Sequence, residues 1–109
     1  MTTITELIKT KYLELVEWYD NNTNARKYMI AEAHNSGRTI EDYILLGVEF
    51  TETDIRKEDN DVKNLEEWIS KKYIKTNRDI EFPNKLTKYQ VTKSGVRYFK
   101  KVTGFCTSN

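Results

Sequence analysis

Apolar residues near the start of the chain recur at three- and four-residue steps: Ile4, Leu7, Ile8, Tyr12, Leu15, Trp18 and Tyr19. A segment with that period buries one stripe of a helix and cannot lie as a half-buried strand. The spacing predicts an amphipathic helix over about residues 4–20. Thr3-Ile4-Thr5-Glu6 opens it as a capping box, in which the Thr oxygen and the Glu carboxylate satisfy opposing backbone donors. The polar run Asp20-Asn21-Asn22-Thr23-Asn24 ends it and caps a second helix, about 25–35, with Tyr28, Met29 and Ala33 inward. Gly37 stands where a left-handed residue closes a helix. A third helix is expected over about 61–75, on Val62, Leu65, Trp68 or Ile69, and Tyr73. Trp18 and Trp68 fall on inner stripes, so both are expected to be buried.

After Asn77 the period changes. Ile80 and Phe82 alternate with Asp79 and Glu81 until Pro83 stops the run. Lys88–Thr92, Lys93-Ser94-Gly95 and Val96–Val102 read as a β-hairpin, with Gly95 supplying the positive φ of a tight turn. Residues 39–51 allow two readings. Thr39-Ile40-Glu41-Asp42 opens like a helix, and Tyr43–Phe50 reads as easily as a buried strand; a short helix ending by Gly47 is the expectation, followed by an acidic loop over 51–60. The fold class is therefore α+β: a helical N-terminal two thirds packed on a small antiparallel β-hairpin or sheet at the C-terminus. At 109 residues this is one domain, with 1–75 mainly helical, 78–103 a β unit and 104–109 a frayed tail.

Composition then removes several functions. One cysteine, Cys106, and one histidine, His34, leave no internal disulfide and none of the usual zinc sets. There is no G-x-G-x-x-G, P-loop or G-x-S-x-G pattern, and Cys106 has no evident base partner. The expectation is a non-enzymatic protein with no catalytic, cofactor-binding or metal residues. Asp54, Glu58, Asp59 and Asp61 lack the Gly and terminal Glu of a calcium loop. No apolar run approaches the roughly 18–20 residues of a membrane span, and the polar start is unlike a signal peptide, which suggests a cytoplasmic protein.

Charge is sorted along the chain. Residues 41–70 carry ten acids against three bases, net −7, and residues 71–109 carry ten bases against two acids, net +8, although the whole chain is only +1. Such asymmetry bears on partners rather than on fold. The basic surface is expected at Lys85, Lys88, Lys93, Arg97, Tyr98, Lys100 and Lys101. Its cations suit phosphates and its aromatic ring suits a splayed base; Lys on an exposed edge strand also keeps such a strand soluble. The acidic surface is expected at Glu52, Asp54, Glu58, Asp59, Asp61, Glu66 and Glu67. It can imitate a phosphate backbone, or it can be a solvated helix face whose first turn complements the helix dipole. The cluster Lys71, Lys72 and Lys75 has the same local explanation at the helix end.

Three resemblances follow. Ala33, Gly37 and Thr39 have the spacing of bacterial helix-turn-helix repressors, but Arg38 replaces the usual apolar residue and Glu41 and Asp42 repel phosphate. Leu86-Thr87-Lys88 through Phe99 resembles the wing and final helix of winged-helix domains. The whole chain, small, without catalytic motifs, split in charge and with Lys outnumbering Arg 13 to 5 as in AT-rich genomes, resembles phage-encoded accessory proteins of the anti-CRISPR type. That likeness implies a stoichiometric inhibitor that docks on a host nucleoprotein such as a Cas effector, with possible direct nucleic-acid contact through the basic segment. A helix-turn-helix or winged-helix transcriptional regulator and a phage structural or assembly protein whose acidic and basic surfaces pair head-to-tail between copies are the alternatives, and a homodimer is a further expectation for partners.

Overall fold

The structure is a computed structural model and describes residues 3–55, 59–77 and 87–103, with the side chains of 59–62 and 103 outside the description. Its elements are α1 (Ile4–Asn21), α2 (Thr23–Asn35), α3 (Ile40–Leu46), β1 (Glu49–Thr51), a 3-10 turn (Glu52–Asp54), α4 (Asp59–Ser70), β2 (Ile74–Asn77), β3 (Lys88–Val91) and α5 (Lys93–Thr103). The α+β class holds, but the sheet draws its first strand from the middle of the chain. None of the helices described is long and apolar enough to cross a membrane.

Local chemistry sets the helix ends. Thr3 and Glu6 form the capping box of α1, the Asn22 side chain accepts from Ala25 N–H to start α2, and Thr39 Oγ1 accepts from Asp42 N–H to start α3. Gly37 takes φ +70°, the left-handed conformation that ends α2. The doubtful stretch resolves as a short helix stopped at Gly47, with β1 directly after it.

The three antiparallel strands lie in the order β1-β3-β2. Phe50 faces Tyr89, which faces Thr76, and Val91 faces Ile74. Side chains alternate across the pleat, so Phe50, Tyr89, Val91 and Ile74 form the inner face. They join Ile8, Leu45, Val48 and Phe99 in one core, all seven other than Tyr89 exposing 3% or less. The outer face carries Glu49, Gln90 and Lys75 in one row. Gln90 ties that row to the helices: its amide donates to Leu46 O at 2.8 Å and accepts from Asn77 Nδ2 at 3.1 Å.

The expected C-terminal hairpin is overturned. Lys88–Val91 is a strand, but its return arm is the helix α5. Val96 and Phe99 are buried at a three-residue step, and Val102, which a strand would place on the same face as Val96 and Tyr98, is 47% exposed. Gly95 is likewise no turn residue, since Gly37 is the one glycine at positive φ among the described residues. Its role is close approach. A Cβ there would overlap the Tyr73 carbonyl oxygen and lie 2.9 Å from its carbon. Thr92 N–H donates to that same oxygen at 3.0 Å, and the Thr92 hydroxyl donates to Lys72 O, so the start of α5 is seated on the α4–β2 turn.

Two helix phasings also need correction. Trp68 is buried as expected, edge-on to Phe99 at 5.3 Å, but Trp18 is 50% exposed and Tyr28 63% exposed. A stripe of seven apolar residues on α1 is wider than its contacts require, and Trp18 falls off its edge. The third helix ends at Ser70, so Tyr73 leaves the helix and stacks on Tyr98 at 4.5 Å. The alternating Ile80–Phe82 segment and the 104–109 tail lie outside the described residues.

Candidate functional site

The basic surface is built mainly by α5. Burying Val96 and Phe99 fixes the helix rotation, which leaves Lys93, Arg97 and Lys101 exposed at four-residue steps. Such positions share one face and follow one another at about 6 Å along the axis. Among the described residues, no ion pair or hydrogen bond engages these three side chains.

At its start the stripe runs into an open groove of about 510 Å³, lined by Lys72, Lys75 and Lys93 with Leu46, Gln90 and Thr92 among its walls. Lys75 reaches it from the outer face of β2. Lys72 reaches it from the turn that closes α4. That turn is a Schellman motif, with Tyr73 N–H donating to Trp68 O at 2.8 Å and Lys72 N–H to Ile69 O at 3.0 Å. Its left-handed position, where glycine is usual, is held by Lys72 at φ +65°. In the sequence, Lys72 and Lys75 read as dipole-complementing charges. The signal for more was the absence of a glycine between Ser70 and Ile74.

Other expected members of the basic surface have structural roles. Tyr98 is half-buried between Tyr73, Trp68 and Phe99, so its ring is not offered to a base. Lys100 forms an ion pair with Asp42 that fastens α5 to α3. Lys88 is exposed on the outer sheet face, opposite Thr51 and Asn77. Lys85 lies outside the described residues.

The acidic surface is more committed locally. Asp54 accepts from Thr51 N–H at 3.0 Å, and Glu52 lies 3.5 Å from the Tyr89 hydroxyl. Glu67 pairs with Lys71 at 2.8 Å across one helical turn, and its hydrogen bond, then its charge, raises the Lys71 ammonium above its ordinary pKa. Glu66 is exposed beside it on α4. Asp59 and Asp61 are in the first turn of α4 with side chains outside the description, and Glu58 lies outside it altogether. Among the described residues no three His, Cys, Asp or Glu side chains are placed to hold a metal ion.

The helix-turn-helix spacing does form a helical turn, with Ala33 buried, Gly37 left-handed and Thr39 capping α3. Yet α3 spans seven residues, buries Ile44 and Leu45, and gives Asp42 to Lys100, so it is a packing helix rather than an exposed reading helix. No family model matches the chain, and no curated protein or solved structure matches it.

Proposed function

We propose that this protein is a non-enzymatic inhibitor that docks on a nucleic-acid-handling complex, in the manner of anti-CRISPR proteins, with a guide-loaded Cas effector as the target class. One observation carries the reading: after folding, the two charge blocks remain on separate elements, a cationic stripe on α5 and exposed Glu66 and Glu67 on α4. A nucleoprotein presents both complements, basic protein channels and phosphates. Complementary fields raise the association rate and exclude wrong partners.

A winged-helix regulator is the second reading, favoured by the order of β2, an intervening segment, β3 and α5. Against it, α4, the long helix between β1 and β2, would bring Glu66 and Glu67 towards phosphates if laid in a major groove. The affinity for random-sequence duplex separates the two. The inhibitor binds it no tighter than the roughly 10⁻⁴–10⁻⁶ M of non-specific proteins, and stops cleavage by the effector at stoichiometric ratio. Nanomolar binding to one DNA sequence would sink the inhibitor reading.

A further inference from the structure

The groove at the start of α5 and the stripe along it share Lys93, which makes them one surface. We infer that Lys72, Lys75, Lys93, Arg97 and Lys101 form a continuous track that takes the phosphodiester backbone of a nucleic acid. The inference rests on the reading above only in its choice of a nucleoprotein target, and it stands or falls on different side chains.

Three features point to a polynucleotide. First, among the described residues no ion pair or hydrogen bond engages these cations, whereas neighbouring Lys100 and Lys71 are paired with Asp42 and Glu67. Second, the surface is concave where Lys72, Lys75 and Lys93 meet, which suits a strand and not a flat bilayer. Membrane-surface helices also need an apolar face to insert, and α5 spends Val96 and Phe99 on the core. Third, Lys72 occupies a left-handed position in which glycine is unstrained and a β-carbon is not. The chain keeps a positive charge in the groove at the expense of the more stable residue. Among the described residues the walls offer Gln90, Thr92 and Ser94 and no aromatic ring, which suits contact with the backbone rather than with bases.

The test uses Lys72→Gly in the full chain, with fluorescence anisotropy of a labelled random-sequence duplex across a salt series. Each phosphate neutralised adds about −0.9 to the slope of log K against log salt, so the intact track of five cations gives a slope of about −4.5. Lys72→Gly should reduce that slope by about 0.9 and weaken binding about eightfold near 0.1 M salt, while raising the melting temperature. Lys72→Arg should restore the binding. Glu66→Lys with Glu67→Lys should leave duplex binding no weaker while disabling inhibition, which keeps a failure of the docking reading distinct. An unchanged slope in Lys72→Gly overturns the inference. So does wild-type affinity for phosphatidylserine vesicles that matches or exceeds that for duplex.

Discussion

Replacing Gly95 decides between a helix seated on the α4–β2 turn and a hairpin turn at the same residues. In an exposed helix, Gly→Ala gains roughly 1 kcal/mol of propensity. Here the new β-carbon would overlap the Tyr73 carbonyl oxygen and sit 3.1 Å from its Cα, and those backbone atoms cannot swing aside as a side chain would. Overpacking of this kind costs about 1–3 kcal/mol. Moving the carbonyl also weakens its bond from Thr92 N–H, for about 1 kcal/mol more. The net is a destabilisation of about 1–3 kcal/mol, or roughly 10 °C at 4–8 °C per kcal/mol for a domain near this size. Thermal unfolding followed by circular dichroism measures it. Gly95→Asn sharpens the comparison, because Asn tolerates the left-handed conformation of a hairpin turn but clashes with Tyr73 as Ala does. A melting temperature unchanged or raised in Gly95→Ala, or Gly95→Asn tolerated while Gly95→Ala is not, would refute the close approach.

The two tryptophans should separate. Trp68→Ala removes a ring buried against Phe99 and should cost about 3–5 kcal/mol, whereas half-exposed Trp18→Ala should cost about 1 kcal/mol; equal losses in chemical denaturation would contradict the packing. The Lys100–Asp42 pair, with side chains 20% and 26% exposed, should show a coupling of about 1–2 kcal/mol in an Asp42→Ala/Lys100→Ala double-mutant cycle, and additive single effects would mean that the pair does not fasten α5.

Much of the helical architecture was legible because caps and apolar period agree. Thr3 with Glu6, Thr39, and Gly37 each mark a boundary through a backbone donor or a left-handed turn that few other residues satisfy. The segment after Thr92 misled for a physical reason. Val96, Tyr98 and Val102 alternate at strand spacing while Val96 and Phe99 keep helical spacing, and Gly95 suits a turn as well as a close contact. Only the neighbour across the fold, Tyr73, decides which. The same neighbour holds Tyr98, an expected binding ring, half-buried against the core. Of the candidate site, Arg97 and Lys101 were legible as cations sharing one face, since a four-residue step keeps one face on a strand and on a helix alike, whereas the expected hairpin left Lys93 in its turn. The joining of Lys72 and Lys75 to them depends on sheet order, which a charge run cannot reveal.

Selection of ligands from a random duplex library, with the wild type and with Lys93→Glu/Arg97→Glu/Lys101→Glu, separates an inhibitor with a non-specific phosphate track from a regulator. The wild type should retain the library weakly and in a salt-sensitive manner, with no sequence enriched. The triple variant should retain none of it, at an unchanged melting temperature. Glu66→Lys/Glu67→Lys should retain the library yet fail to inhibit the effector. One enriched sequence bound at nanomolar affinity, whether or not those acids are reversed, would contradict the inhibitor reading and make the chain a regulator.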